Sequence, residues 1–301
     1  MSGKQCRDAG NRAIRCPLMT RIVDLLGDQP TLSFEFFPPA DEVAAKQLDE
    51  TLNELTELAP SFVSVTCGVG GDGHDRTRDI VTDICRDRPF PAMAHLTCVG
   101  HTRQGVAGLL DDYASAGVVN ILALAGDPPD GSAISGDFRY ASELVEVVRA
   151  HPAGFSVGVA AHPEVHPRSV NRATDRAFLA SKLGQADFAI TQFFFDPADY
   201  TQLRNELADL GCHRPVIPGV MPVIWPKSIH RYAAMNGSTV PEDLFTRLES
   251  LPAPNRITAA AEAAAELAQS LLDAGAPGIH LYTLNRAEAS TLVAQNLPFP
   301  K

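Results

Sequence analysis

Short apolar runs alternate along this chain with longer segments in which apolar residues recur every three or four positions. The short runs are typical of strands buried on both faces, and the longer segments are typical of amphipathic helices. The predicted strands are 32–36, 62–66, 92–96, 119–124, 155–161, 188–193, 216–220 and 278–282. The predicted helices are 41–58, 76–85, 104–116, 141–149, 171–183, 197–210, 227–235, 241–248 and 257–272. This alternation predicts an α/β fold, the (β/α)8 TIM barrel, whose chemistry lies at the C-terminal ends of the strands.

The polar pattern divides the chain into an N-terminal arm and one barrel. The first residues are mixed and polar, without the continuous apolar stretch of a signal peptide, so residues 1–25 are predicted as a flexible arm. No linker interrupts the remainder, and residues 26–301 are predicted as a single (β/α)8 catalytic barrel. No run of apolar residues is long enough to predict a membrane-spanning helix.

Composition and charge narrow the class of partner. The formal net charge of −11 disfavours nucleic acid and anionic membranes as partners, because both need concentrated Lys and Arg. None of the six cysteines forms a CxxC pair, which disfavours a zinc site. Without a secretory signal, the thiols are expected to be reduced and the protein cytoplasmic. The sequence leaves the oligomeric state open, a homo-oligomer included.

Glu35 is the first candidate for chemistry, because it lies among Phe34, Phe36 and Phe37 at the end of the first strand. Aromatic neighbours exclude water from a carboxylate and favour its protonated form, which suits a general acid. A rim glutamate paired with a nearby arginine would fit the same position, since ion-pair networks are common there. Both interpretations are open at this point.

Other polar side chains follow the fourth and sixth strands. Asp127, after Gly126, can accept hydrogen bonds from the N–H groups of a ligand, although aspartate is also common in turns. Gln192 can donate and accept at once, which suits a polar ring, or it can bond to the barrel rim. His95 and His162 also lie at strand ends, but the chain lacks HxH and HExxH spacing, so no metal site is predicted.

The loop 68–73 spells GxGxxG after a strand, which raises the possibility of a dinucleotide-binding turn. Such a turn opens directly into a helix and is followed by an acidic residue at the end of the next strand. Here His74 and Asp75 are predicted to precede the helix, and the third strand ends in His95 without an acid. The loop also carries Asp72 and no lysine, so a rim loop is the favoured interpretation.

Eight motifs in chain order resemble the methylenetetrahydrofolate reductase family over most of the chain. They are SFEFFPP (33–39), FVSVTCG (62–68), AHLTC (94–98), GDPP (126–129), HPEVHP (162–167), ITQFFFD (190–196), IPGVMPV (217–223) and YTLNRAE (282–288). Any one of them could arise by chance, whereas eight in order are highly specific.

The resemblance implies reduction of 5,10-methylenetetrahydrofolate, a small-molecule folate substrate, to 5-methyltetrahydrofolate. It makes Glu35 the general acid that helps to open the five-membered ring, and Asp127 a pterin ligand that steadies the cationic intermediate. It also assigns a group of substrate contacts, which are Gln192, Trp225 and Arg286. The positions that match flavin contacts of the family are Thr66, His95, Asp175 and Lys182, and His162 is a further predicted cofactor contact.

The match departs from the family where FAD would be held. Ala125 stands where relatives carry arginine, and His162 where they carry tyrosine. A basic LKxK pattern is replaced around Ala180 and Ser181, which leaves Lys182 as its one cation. Each lost charge-assisted bond to a phosphate weakens binding by roughly 1.5–3 kcal/mol. The departures therefore favour a flavin-free branch of the family, in which NADH reduces the folate directly.

Alternatives stay open at this stage. Compensating residues such as Arg168 or Arg172 would restore FAD and the family's two-step mechanism. A catalytically inactive folate-binding protein is a further alternative, although it would not need Glu35 as an acid. The absence of an arginine-rich loop for a 2′-phosphate favours NADH over NADPH.

Overall fold

Eight parallel strands close into a barrel in the computed structural model, which describes residues 19–27, 29–67, 73–126 and 136–299. The strands are β1 (Thr31–Phe36), β2 (Phe62–Val65), β3 (Ala92–Thr97), β4 (Asn120–Leu124), β5 (Ser156–Ala161), β6 (Phe188–Phe193), β7 (Val216–Val220) and β8 (Gly278–Tyr282). Each strand pairs with its neighbour along the chain, and β8 pairs with β1. The predicted (β/α)8 barrel is therefore confirmed.

Ten helices surround the barrel or follow its strands among the described residues. They are α1 (Glu42–Thr56), α2 (Gly73–Asp87), α3 (Arg103–Ser115), α4 (Ala141–Ala150), α5 (Arg172–Gly184), α6 (Pro197–Asp209), α7 (Pro226–Asn236), α8 (Glu242–Ser250), α9 (Ala253–Asp273) and α10 (Ala287–Gln295). None of these helices is long and apolar enough to cross a membrane.

The start of α2 corrects one step of the sequence argument. The helix begins at Gly73, so His74 and Asp75 lie inside it and do not separate the glycine-rich loop from the helix. The other two grounds against a dinucleotide-binding turn stand, since β3 carries no acid at its end and the loop sequence has no lysine. The loop residues 68–72 lie outside the described residues.

The lower half of the barrel interior is an apolar layer. Side chains from five strands fill it, and they are Phe62, Met93, Leu122, Phe188, Ile190 and Ile217. Ile22, in a short 3-10 helix before β1, packs into the same layer and is wholly buried. Burying such a side chain stabilises the fold by about 1.5–3 kcal/mol.

Hydrogen bonds hold this N-terminal segment in place. The Ile22 amide donates to Asn120 Oδ1 at 2.7 Å, and Asn120 Nδ2 donates to the Thr20 carbonyl at 3.0 Å. The Val23 amide donates to Ser156 Oγ at 3.2 Å. The predicted flexible arm over 1–25 thus includes residues that are bonded to the barrel, and Ile22 packs into its apolar layer. Residues 1–18 lie outside the described residues.

One strand pair departs from regular register, and it does so at the rim. Ile190 pairs with Ile217, but Phe193 pairs with Gly219, so β6 uses one residue more than β7 between these pairs. An extra residue of this kind is a β-bulge, which re-aims the side chains around it. Gln192 lies within this bulge.

Candidate active site

Glu35 lies at the centre of a polar cluster in the upper half of the barrel. Its side chain is 17% exposed, and Oε2 is 3.5 Å from Nε2 of both His95 and His280. Of the two interpretations left by the sequence, the arginine-paired one receives no support, since both close partners here are histidines. A carboxyl group between two imidazoles can exchange protons with its surroundings while it faces a ligand.

His280 lies beneath Glu35 and is wholly buried. Its Nδ1 is 2.8 Å from Ser33 Oγ, which also donates to the Ile279 carbonyl at 3.2 Å. When the serine proton is used in that bond, Nδ1 must donate to Ser33 Oγ, and Nε2 becomes an acceptor on the Glu35 side.

Sequence reasoning missed His280, although a signal was present in β8. His280 and Tyr282 alternate there with the apolar Ile279 and Leu281. An alternation of period two marks one face of a strand as polar. In this barrel, that face meets Glu35.

His95 is buried and neutral at pH 7. Burial lowers its pKa from 6.5 to about 4, with a further lowering from His280 and an opposing effect of Glu35. Its Nε2 atom makes no hydrogen bond to any described residue. An orphaned buried nitrogen beside the acid is available to a ligand, because leaving it unmet costs roughly 1–3 kcal/mol. That His95 contacts a bound cofactor stays a prediction.

The turn after β8 fixes the end of β1 where Glu35 lies. Thr283 Oγ1 donates to the Glu35 carbonyl at 2.6 Å. Asn285 pairs with the backbone of Phe37 in both directions, at 3.0 and 2.8 Å. Leu284 and Asn285 both adopt positive φ, 51° and 55°, a conformation that favours asparagine over most residues. The hydrogen bonds from Thr283 and Asn285 to β1 and Phe37 stabilise this unfavourable conformation.

Trp225 and Arg286, two predicted substrate contacts, lie together. The guanidinium carbon of Arg286 is 5.9 Å from the centre of a Trp225 ring, within range of a cation–π contact. Trp225 is 42% exposed and precedes α7, and Arg286 precedes α10. The pair leaves an aromatic face and a cation accessible at the rim.

The loop after β5 brings together two of the predicted cofactor contacts, His162 and Lys182. Lys182 Nζ donates to the Ala160 carbonyl at 2.9 Å, and burial lowers its pKa to about 8. Burial lowers the pKa of His162 to about 3, with further lowering by the positive charges of His166, Lys182, Arg176 and Arg168. Several cations therefore lie close together in this loop, and Asp175 and Glu206 offset part of their charge.

Asp175 has a structural role in the same loop. It is 7% exposed and accepts bonds from the His166 amide at 3.2 Å, Ser169 Oγ at 2.8 Å and Arg176 at 2.5 Å. Arg176 also donates to the carbonyls of His162, Pro163 and Glu164 and forms an ion pair with Glu206. Sequence reasoning missed Arg176, which organises the loop backbone from below.

The remaining predicted site residues are placed as follows. Thr66 follows β2, and its amide donates to the Phe36 carbonyl at 2.8 Å. Ala125 follows β4 and is partly exposed, whereas Asp127 lies outside the described residues. No group of His, Cys, Asp and Glu side chains within the described ranges is arranged to hold a metal ion.

Comparisons with known proteins agree with the motifs. The family model described as "Methylenetetrahydrofolate reductase" matches residues 19–298. The chain is 35% identical over 272 residues to 5,10-methylenetetrahydrofolate reductase of Salmonella typhimurium, covering 89% of this chain and 91% of that protein. It is 31% identical to methylenetetrahydrofolate reductase (NADH) 1 of Arabidopsis thaliana, covering 89% of this chain and 48% of the plant protein.

Solved structures show the same fold at low sequence identity. A Clostridium thermocellum protein that binds two copies of 5-methyl-5,6,7,8-tetrahydrofolic acid matches with a TM-score of 0.59 and 12% identity, over 89% of this chain and 94% of that one. Oxaloacetate acetylhydrolase matches with a TM-score of 0.57 and 11% identity, over 92% and 83%. At such identity the likeness concerns the barrel alone.

Proposed function

This chain belongs to the methylenetetrahydrofolate reductase family, and we propose that it transfers a hydride directly from NADH to its folate substrate. Family membership establishes an oxidoreductase that acts on 5,10-methylenetetrahydrofolate. The proposal concerns the hydride donor, the absence of a flavin step and the roles of individual residues.

The observation that carries the proposal is the state of the residues at the predicted FAD-binding positions. Asp175 is engaged by Arg176, Ser169 and the loop backbone. Lys182 already donates one bond to Ala160. The residues at the other diphosphate positions carry no charge, and they are Ala125, Ala180 and Ser181. The cations of the family's FAD-binding pattern are therefore incomplete here, so no step of the reaction is derived through FAD.

The same loop offers two cations, Arg168 and Lys182, that could hold the diphosphate of NADH. Arg168 is exposed beside His166, and the Lys182 ammonium retains donors beyond its bond to Ala160. Two cations can hold one diphosphate by charge-assisted hydrogen bonds. Arg172 is a weaker candidate, because its Nε is already paired with Glu206 at 2.7 Å. We place the NADH phosphates at Arg168 and Lys182.

The chemistry needs an acid and a place for positive charge. The Glu35 carboxyl gives its proton to the ring nitrogen that leaves the methylene carbon, and the electron pair of the remaining nitrogen forms an N5-iminium cation. A hydride from C4 of the nicotinamide then adds to that carbon and makes the methyl group. The turnover consumes one proton, and Glu35 can regain it from solvent because its side chain is 17% exposed.

The substrate contacts follow from the same arrangement. Trp225 offers an aromatic face at the rim, with Arg286 over its ring. Gln192 lies in the bulge of β6 and offers both a donor and an acceptor. Neutral His95 completes the polar wall beside Glu35 without adding a charge that would oppose the cationic intermediate.

The test is NADH oxidation in the presence of 5,10-methylenetetrahydrofolate, using protein whose absorption spectrum shows no flavin. The proposal predicts turnover without FAD, no gain when FAD is added, and a lower KM for NADH than for NADPH. Activity that requires added FAD would contradict direct transfer and support the two-step mechanism. Absence of activity with or without FAD would support an inactive folate-binding protein. The Glu35→Gln variant serves as the matched inactive control.

A further inference from the structure

Gln192 is bracketed by two backbone carbonyls, each of which accepts a hydrogen bond from a side-chain hydroxyl. Tyr282 Oη donates to the Thr191 carbonyl at 2.7 Å. Ser238 Oγ donates to the Phe193 carbonyl at 3.0 Å. The residues before and after Gln192 are therefore held from two different parts of the chain, β8 and the turn after α7.

The bulge explains why side chains take these bonds. Between the pairs Ile190–Ile217 and Phe193–Gly219, β6 has one residue in excess, so the regular ladder is interrupted where Gln192 lies. Thr191 is wholly buried, and a buried carbonyl left without a donor costs roughly 1–3 kcal/mol. The hydroxyl groups of Tyr282 and Ser238, which lie outside the β6–β7 pair, donate hydrogen bonds to the carbonyls here.

The Tyr282 ring is packed closely against the bulge and the residues around it. The Gly219 amide donates to Thr191 Oγ1 at 2.9 Å, and a Cβ on Gly219 would come within 2.6 Å of the Tyr282 ring. Glycine at this position of β7 therefore makes room for the tyrosine. Phe193 and His280 meet the same ring edge to face, with centroids 6.2 and 5.6 Å away.

Tyr282 is also suited to donate under all ordinary conditions. Burial and the nearby charge of Glu35 raise its pKa well above the usual 10.0, so the hydroxyl stays protonated. Ser238 follows Gly237, which ends α7 in the left-handed conformation with φ 72°. The Thr239 amide and hydroxyl then donate to Glu164 at 2.7 and 2.6 Å, which fixes this turn to the loop after β5.

We propose that Tyr282 and Ser238 are positioning residues that hold the Gln192 amide in place for folate. The inference rests on the proposed role of Gln192 as a substrate contact. The proposal also connects the Gln192 amide with Trp225, because Ser238 follows the C-terminal end of α7 and Trp225 precedes its N-terminal end. The positions of two proposed substrate contacts, Gln192 and Trp225, thus both depend on α7.

The experiment is a double-mutant cycle between Gln192→Ala and Tyr282→Phe, repeated with Ser238→Ala. The readouts are kcat and KM for the folate, together with the Kd for 5-methyltetrahydrofolate by titration. In the unchanged background, Tyr282→Phe is expected to weaken kcat/KM and product binding by about tenfold. In the Gln192→Ala background, the same change is expected to have less than about a twofold effect, because residues that act through one another are not additive.

Tyr200→Phe is the matched control. Tyr200 Oη is buried and donates to the Val216 carbonyl at 2.8 Å, so the same kind of bond is lost away from Gln192. It should lower thermal stability as Tyr282→Phe does, with kcat and KM unchanged. A purely structural role for Tyr282 would make the two variants alike in every readout.

Equal effects of Tyr282→Phe in both backgrounds would overturn the inference, as would a Gln192→Ala variant with normal binding and turnover. Binding of 5-methyltetrahydrofolate needs no hydride donor. The cycle therefore reports on positioning even if turnover proves to require FAD, which would count against the proposed function alone.

Discussion

At the scale of single residues, the reaction depends on a carboxyl group whose close partners are two imidazoles. Glu35 lies 3.5 Å from His95 and from His280, and its backbone is tied to Thr283. An acid held this way can lose and regain a proton in each turnover without moving.

Replacing Glu35 by glutamine removes the proton and keeps the shape of the side chain. We expect kcat to fall by at least about 100-fold, the usual contribution of a general acid. The Kd for 5-methyltetrahydrofolate, measured by titration, should change by less than about threefold. A variant with normal kcat would show that another group supplies the proton.

The loss of FAD-binding cations can be tested by adding positive charge at the neutral positions and measuring FAD affinity. Ala125→Arg combined with Ala180→Lys introduces cations at the two positions where the resemblance to the family implies them. Each new charge-assisted bond to phosphate should tighten FAD binding by roughly tenfold or more. Flavin fluorescence quenching measures the change, and Lys46→Arg on the exposed face of α1 is a charge-neutral control. Equal FAD affinity in the unchanged protein and the double variant would contradict the claim that the missing cations weaken FAD binding.

At the scale of elements, the sequence was sufficient for the strands and for most of the helices. Parallel strands covered on both faces form unbroken apolar runs, and each predicted strand overlaps the observed one. α9 begins at Ala253, four residues before its predicted start, because Pro254 is tolerated in the first turn of a helix. α10 was not predicted, since its buried residues are mostly small ones that show no clear apolar period.

The site was less predictable than the fold. Motifs pointed to Glu35, Trp225 and Arg286, but periodicity alone does not show which strand residues meet across a barrel. His280 became visible only when β8 closed against β1, where Ser33 pairs with His280. Arg176 was missed for a similar reason, because its partners are carbonyls of a loop that no local pattern specifies.

The short N-terminal helix gives a prediction at this scale. Ile22→Ala should lower the free energy of unfolding by about 2–4 kcal/mol, because it leaves a cavity under the barrel floor. Met19→Ala is the control, since Met19 is 67% exposed and its loss should change stability by less than about 0.5 kcal/mol. Denaturant unfolding measures both. Equal small effects would show that residues 19–25 do not close the barrel in solution.

At the scale of the whole molecule, buried neutral histidines make stability depend on pH. The folded-state pKa of His95 is about 4 against an ordinary 6.5, so between these values the unfolded chain binds more protons than the folded one. Unfolding free energy therefore falls as pH decreases from 6.5 towards 4, by up to about 1.4 kcal/mol per pH unit. His162, whose pKa is about 3, acts in the same direction.

In the His95→Gln variant, the free energy of unfolding should fall less steeply between pH 6.5 and 4, and its pH dependence above pH 6.5 should be unchanged. Urea unfolding at pH 7, 6, 5 and 4.5 measures the slope in both proteins. His213→Gln, outside the barrel interior, is the control. An identical slope in the His95→Gln protein would mean that His95 takes up its proton in the folded state as readily as in the unfolded one.

The central claim of direct hydride transfer is tested most directly by following deuterium from NADH into product. Protein without flavin is given NADH carrying deuterium at C4, with each face of the ring labelled in turn, and the methyl group of 5-methyltetrahydrofolate is analysed by mass spectrometry. Direct transfer predicts one full deuterium per methyl group from one face, and none from solvent when unlabelled NADH is used in D₂O. A hydride that passes through a reduced flavin resides on a nitrogen that exchanges with water. Loss of label to water, or methyl deuterium derived from D₂O, would contradict the account.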